Sequence, residues 1–296
     1  MIRRSAVVAK RTAIAFYDDQ MTHHAAALTY YCLMSLFPAA LLALSLLSLF
    51  GQYPETYDAI IGYLRDVAPD EVVISVDSSL RSALQNQGRA AVAVVVSIVL
   101  AFYGMTGALE AARRALNVVF EIDQGRSFLR RKTIDISFSL VLMVLVLLSF
   151  VLVFLGGSFA NDVFGFIGLG QTAADIWSFV RWPGAVAVAM LIFSLVYYVT
   201  PDVKHRGFRW ITPGAALGVF GWLAVSILFS LYISGVADVG AVYGTFAGAI
   251  VLVAWLWLTN CALLAGAELN AEVERAHELG EGVPEAETLN RPARTG

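Results

Sequence analysis

The sequence predicts an all-α protein, a polytopic transmembrane helical bundle of six spans with amphipathic helices at its surface. Three observations predict it. Of 296 residues, 58% are hydrophobic and 15% are charged, more apolar surface than a water-soluble fold of this length can hide. Mean hydropathy is +0.72. The charges are also clustered, so that the windows 25–54, 90–109, 136–161, 182–201, 210–237 and 239–267 contain no Asp, Glu, Lys or Arg. Each can cross a hydrocarbon layer of about 30 Å as a helix of roughly 20 residues, because a helix satisfies its own backbone groups where water is absent. The expected spans run about 28–50, 89–109, 134–157, 182–200, 211–232 and 243–267.

Taken in order, residues 2–19 place Ile2, Ala6, Ala9, Ala13 and Phe16 near one helical face and leave Arg3, Arg4, Lys10 and Arg11 to anionic headgroups. Segment 1–24 reads as an amphipathic helix on the cytoplasmic membrane surface, the alternative being a solvated basic arm. It has no small-residue cleavage site, so the first span is expected to stay in the mature protein. Span 1 contains Pro38, which removes an intrahelical bond and is expected to bend the helix. An external region, 52–88, follows. There Tyr57, Ile60, Ile61 and Leu64 keep helical spacing, Pro69 interrupts, and Leu80 and Leu84 mark a second amphipathic helix. Its acids outnumber its arginines, which suits either a cationic ligand or an ordinary solvated loop.

Beyond span 2, Glu110 and Arg114 stand four apart and can pair along a helix. Asn117 follows on the same segment, and Glu110 and Asn117 are, with Asn260 and Glu268 below, candidate polar or path residues. Arg126, Arg130, Arg131 and Lys132 lie just below span 3, placed to hold lipid phosphates or simply to anchor the topology. Segment 163–180 is apolar, but glycines at 165, 168 and 170 and its short apolar pieces favour an interfacial or re-entrant loop over a seventh crossing. Span 4 stops at Thr200-Pro201-Asp202, and span 5 opens at Thr212-Pro213-Gly214, since proline fits a first helical turn. Gly214 and Gly218, like Gly244 and Gly248, are four apart, where missing side chains let helices close up. In span 6, Asn260 is expected to turn into the bundle and donate to a neighbouring helix. Glu268, near the cytoplasmic edge, is placed to salt-bridge to Arg113 or Arg114 or to line a vestibule. Both residues read either as structural glue or as parts of a polar path. Residues 271–296 are expected to be a disordered cytoplasmic tail.

Six spans put the loops alternately on two sides. The side of both termini receives sixteen of the twenty Lys and Arg residues, and Arg65, Arg81, Arg89 and Arg181 are left for the other. Positively charged loops stay inside, so both termini are expected in the cytoplasm of a bacterial inner membrane. Cys32 and Cys261 both fall within spans and read as free buried thiols. A net charge of −3 argues against a nucleic-acid binder, whose footprint is a basic face.

Several motifs carry a resemblance. Ala25-Ala26-Ala27-Leu28-Thr29-Tyr30-Tyr31 with Ser35-Leu36-Phe37-Pro38, the run Phe128-Leu129-Arg130-Arg131, the turn Pro213-Gly214-Ala215, and Tyr243-Gly244-Thr245 continuing to Gly266-Ala267-Glu268-Leu269-Asn270-Ala271 resemble the YihY/BrkB family of bacterial inner-membrane proteins. The likeness covers about residues 10–275 and implies a six-span protein. It brings two labels. One is ribonuclease BN, regarded as a misassignment and opposed by the residues: the histidines are His23, His24, His205 and His277, with no HxHxDH-type cluster to hold a hydrolytic metal. The other, a serum-resistance virulence factor, fixes no mechanism.

The residues leave three function classes. Pro38, the glycine pairs, Asn260 and Glu268 favour a transporter or lipid-handling protein whose partners are membrane lipids, anionic phospholipids among them. A non-catalytic envelope scaffold is the first alternative. A membrane enzyme is the second, resting on His23-His24 beside Asp18 and Asp19, although adjacent histidines on a helix need not share a cavity. No catalytic residue, cofactor or metal is implied, and oligomeric state is left open.

Overall fold

The computed structural model describes residues 2–49, 61–62, 77, 87–122, 126–154, 170–203, 212–235 and 247–280. Most of the external region 52–88, the motif at Tyr243 with Gly244, the basic turn at 204–211 and the tail 281–296 lie outside the described residues. Within them the chain forms seven long helices and no β-strand element. These are α1 (Ile2–Asp18), α2 (Met21–Leu49), α3 (Gln87–Val119), α4 (Phe128–Phe154), α5 (Gly170–Val199), α6 (Pro213–Gly235) and α7 (Ala247–Gly280).

Among the described residues, three stretches are long and apolar enough to cross a membrane: Asp175–Val199, Pro213–Ile233 and Gly248–His277. They fall on expected spans 4, 5 and 6, while α2, α3 and α4 coincide in position with expected spans 1 to 3. Two boundaries differ from the sequence reading. Residues 170–180 are the first turns of α5 and not a loop, because the glycines end at Gly170 and helix-compatible residues carry the chain into Pro183, which sits inside the helix. Residues 271–280 are likewise helix and not disordered tail, since Ala271, Glu272 and Arg275 are packed rather than solvated. Helix α2 runs through Pro38 from Met21 to Leu49.

Burial is inverted relative to a water-soluble protein. Arg113, Arg126, Asp135, Asp202, Glu268 and Glu272 are buried, while Val144, Phe220, Ile227, Leu228 and Leu231 are exposed. Apolar surface on this scale calls for a lipid solvent.

The chain divides into two compact units. Unit 1 comprises Met1–Ala25, Leu109–Ala224 and Cys261–Gly296, and unit 2 comprises Ala26–Ala108 and Val225–Asn260. In unit 2, a Cβ on Gly104 would stand 2.7 Å from that of Ser35, and one on Gly107 would stand 2.5 Å from the Tyr31 ring, so α2 and α3 touch through glycine. Trp255 donates its indole N–H to Ser226 Oγ at 3.1 Å, tying α7 to α6.

In unit 1, α4 packs along α5. Tyr197 of α5 donates its hydroxyl to the Leu263 carbonyl of α7 at 2.6 Å. The start of α6 is built by capping. Thr212 Oγ1 accepts from the Ala215 N–H at 3.0 Å, Asn270 Oδ1 accepts from the Gly214 N–H at 2.8 Å, and Asn270 Nδ2 donates back to Thr212 Oγ1 at 3.0 Å. Orphan N–H groups at a helix start need such acceptors, above all in an apolar medium. Gly214 and Gly266 meet backbone to backbone, and Gly218 faces Phe193 and Tyr197.

A Cβ at position 214 would collide with the Gly266 carbonyl, whereas one at Gly221 would meet nothing within 4 Å. Gly214→Ala is therefore expected to destabilise the protein by about 1–3 kcal/mol, the usual cost of overpacking. Gly221→Ala should be neutral or slightly stabilising. Thermal melts of both variants in one detergent check this, and equal melting temperatures would refute it.

Candidate functional site

Unit 1 contains two polar clusters. The first is a buried ion network. Arg113 of α3 pairs with Asp135 of α4, and its Nε lies 3.9 Å from Asp202 Oδ1 just past α5. Arg126 Nη1 reaches Asp202 Oδ1 at 3.4 Å and donates to the Val199 carbonyl at 3.2 Å. Asn117 completes the set by donating to Asp202 Oδ2 at 3.1 Å and accepting from the Asp202 N–H at 2.9 Å. Two arginines and two aspartates make the cluster neutral, and their side chains are 5% exposed or less. Burial pulls the Arg113 guanidinium below its ordinary range, an effect that Asp202 opposes.

This network corrects two expectations. Arg126 is committed to Asp202 and the end of α5, so it does not stand free for a lipid phosphate. Arg130 and Lys132 are exposed and Arg131 is half-buried. Arg113 is taken by aspartates, and Arg114 pairs with Glu110 at 2.7 Å on the exposed face of α3, so neither is recorded pairing with Glu268. That hydrogen bond from Arg114 holds the Glu110 carboxyl below its usual range.

The second cluster lines a cavity of about 510 Å³. Helix α1 and the turn after it supply Arg11, Asp18 and Asp19, the end of α3 supplies Glu121, and α7 supplies Glu268, Glu272 and Arg275. One of its lining residues, Glu121, has a left-handed backbone at φ 51°, and Gln20, next to Asp19 in the chain, has another at φ 52°. Glu121 ends α3 in a Schellman-type turn, with the Ile122 N–H donating to the Asn117 carbonyl at 2.9 Å. Glycine is usual there, so a glutamate costs roughly 1–2 kcal/mol of backbone strain. What it gains is an ion pair, since Arg275 holds Glu121 at 2.9 Å and Glu272 at 2.8 Å.

Glu268 is 2% exposed, and its Oε1 has no hydrogen-bond partner. Its carboxyl group lies within hydrogen-bonding reach of Asp19. Burial pushes the Asp19 carboxyl above its ordinary range, the hydrogen bond to Glu268 opposes this, Glu121 and Asp18 add to it, and Arg275 counteracts. Two carboxyl groups in contact are relieved by sharing a proton. Burial also lowers His24 from its usual value, against the attraction of Asp19. His23 and His24 do not line the cavity, and the described residues hold no group of three or more His, Cys, Asp or Glu able to bind a metal.

Of the remaining sequence candidates, Asn260 is buried in unit 2, where its amide donates to Thr29 Oγ1 at 3.1 Å. The candidates therefore do not form one site. Asn117 and Arg126 converge on Asp202, while Glu268 stands in the cavity. Sequence reasoning missed Asp135, Asp202, Glu121 and Asp19 in these roles. A signal existed for the first two, because both are charges at the very edge of an uncharged window.

The virulence factor BrkB family model matches residues 13–290. The chain belongs to the BrkB family. Among its relatives, the ribonuclease-like protein YfkH of Bacillus subtilis is 28% identical over 259 residues, covering 88% of this chain and 92% of YfkH. UPF0761 membrane proteins of Xanthomonas campestris and Xanthomonas axonopodis are each 25% identical over 256 residues, or 86% of this chain. The chain spans 57% and 58% of the length of those two proteins. No solved structure matches. The family and the apolar helices together make the chain a membrane protein. Two BrkB motifs noted in the sequence meet in space, since Gly214 of the Pro213-Gly214-Ala215 turn is capped by Asn270 and backed by Gly266.

Removing one partner of a buried charge pair strands the other, at about 3–5 kcal/mol. Asp202→Ala is expected to lose stability on that scale and Glu110→Ala under 1 kcal/mol, as exposed pairs do; comparable thermal melts would refute the ranking. For Asp19 the folded value lies above the unfolded one, so its protonated form stabilises the fold fully below pH of about 3.9 and loses that contribution as pH rises through the folded value. Raising pH from about 4 to about 8 should therefore lower the melting temperature of the parent protein more than that of Asp19→Asn. An identical pH dependence would contradict this.

Proposed function

We propose that the chain is a six-span protein of the bacterial inner membrane, with both termini cytoplasmic, that moves a polar solute or a lipid headgroup. The cavity between α1, α3 and α7 is then the vestibule at the cytoplasmic edge. One observation carries the reading: Glu268, almost wholly buried on a membrane helix, presents an unpartnered carboxyl oxygen to that cavity. An ionisable group buried on a membrane helix is costly, and such groups face water-filled cavities or pathways. Exposed Val7 and Tyr17 on α1 support a helix lying in the headgroup layer, and the exposed Arg130 and Lys132 are available to anionic phospholipids. YfkH is named ribonuclease-like, and nothing in the cavity supports carrying a phosphodiester reaction over from that name.

Orientation is tested by single cysteines at Ser127→Cys and Gly207→Cys in a background with Cys32 and Cys261 replaced by serine. Both are expected to react from the cytoplasmic side only, and labelling from opposite faces would refute the topology. Activity is tested in proteoliposomes carrying fluorescent phosphatidylethanolamine and phosphatidylglycerol, scored for transbilayer movement, with a pH-gradient dye reporting proton-linked solute flux. The protein should accelerate at least one reporter, and Glu268→Gln should slow it about tenfold or more. No acceleration, or full activity in a well-folded Glu268→Gln, sinks the proposal. A stoichiometric crosslinked protein partner without flux would instead favour a scaffold.

A further inference from the structure

We propose that the cavity binds a primary ammonium group carried on a phosphate-bearing body, the chemistry of a phosphoethanolamine headgroup. The inference deepens the transport reading and rests on it for the role of the cavity as an entrance. Charge bookkeeping around the wall is asymmetric. Arg275 pairs with both Glu121 and Glu272 through two short contacts, which leaves that trio one negative charge in excess, and Asp18 with the proton-sharing Asp19 and Glu268 completes the acidic side. Glu268 is not a surface acid, being 2% exposed with Oε1 lacking any hydrogen-bond partner. A buried acceptor of this kind is a missing donor's address.

The size and lining select the donor. At about 510 Å³ the cavity is of small-molecule scale, far larger than a bare ion needs. Divalent cations want six or more oxygens at fixed distances, and the described residues gather no metal-binding group. An ammonium has three donors and asks only for several acceptors around it. Its methylated counterpart has none and relies on aromatic cages. The wall offers Ile14, Val119 and Leu279 but no aromatic ring among the described residues, so N–H donation rather than cation–π contact decides. On the opposite sign, Arg11 faces the same cavity, is exposed, and has no ion-pair partner recorded among the described residues. It is the group to receive a phosphate.

The source is a phosphatidylethanolamine headgroup or soluble O-phosphoethanolamine, and the test separates them. The full-length protein in detergent is titrated with dihexanoyl phosphatidylethanolamine, the matching phosphatidylcholine, the matching phosphatidylglycerol, and O-phosphoethanolamine, with melting temperature as readout. The ethanolamine lipid should bind about tenfold or more tightly than the choline lipid. Glu268→Gln should erase that preference, and Arg11→Ala should weaken ethanolamine and choline lipids alike. O-phosphoethanolamine binding as tightly as the lipid assigns the soluble source, and binding of the lipid alone assigns the membrane source. Asp19→Asn serves as the second variant should Glu268→Gln not fold. Equal binding of ethanolamine and choline lipids, retention of the preference in a folded variant, or no binding of any probe would each overturn the assignment. Ammonium selectivity without flux would sink transport alone, whereas flux of another solute without ammonium selectivity would sink only this inference.

Discussion

A charge inside an apolar medium must find its opposite, and the folding of unit 1 follows from that demand. Asp202 sits just beyond α5 with no exposed surface. Left alone there it would cost several kcal/mol, so α3 must bring Arg113 and Asn117 to it, and the segment leading into α4 must bring Arg126. Once those groups meet, the end of α5 is fixed against the ends of two other helices. Asp135 then balances the second arginine. Apolar packing alone could not give this register, because lipid tails compete for apolar faces on equal terms.

Where no charge fixes a contact, closeness does. Gly214 against Gly266, and Gly104 and Gly107 against α2, bring backbones together so that dispersion and short hydrogen bonds act at full strength. Asn270 shows both devices at once. Its amide satisfies the opening N–H of α6, and it reaches that N–H only because glycine stands at 214 and at 266. The motif residues of the BrkB family at this place thus have a structural reason that owes nothing to catalysis.

How much of this was legible follows from what a sequence can encode locally. Helix positions were readable because a span is a one-dimensional property, a run without charge. The start of α5 and the end of α7 were misplaced because both depend on neighbours: Pro183 is tolerated inside a packed helix, and Glu272 and Arg275 are ordered by each other and by Glu121. The Glu110–Arg114 pair was readable from spacing. Arg113 with Asp135, and Asn117 with Asp202, join residues far apart in sequence, and no periodicity announces them. Arg126 illustrates the same limit. Grouped with Arg130, Arg131 and Lys132 it looked like one basic patch, yet the fold takes it inside and leaves its neighbours out.

Magnitudes also separate the roles of Asn260 and Glu268. Asn260 donates to Thr29 and is satisfied, the pattern of interhelical glue, which in membrane bundles contributes about 0.6 kcal/mol on average. Glu268 does not fit that pattern. An unmade hydrogen bond on a buried polar oxygen costs about 1–3 kcal/mol, more than such glue returns, and the contact with the Asp19 carboxyl leaves Oε1 without a partner. A position selected for stability alone would carry leucine or glutamine there. The strained left-handed backbone at Glu121, which lines the same cavity, deepens the imbalance. Glu268 thus differs in kind from Asn260: its burial is not offset by the contacts it makes within the protein.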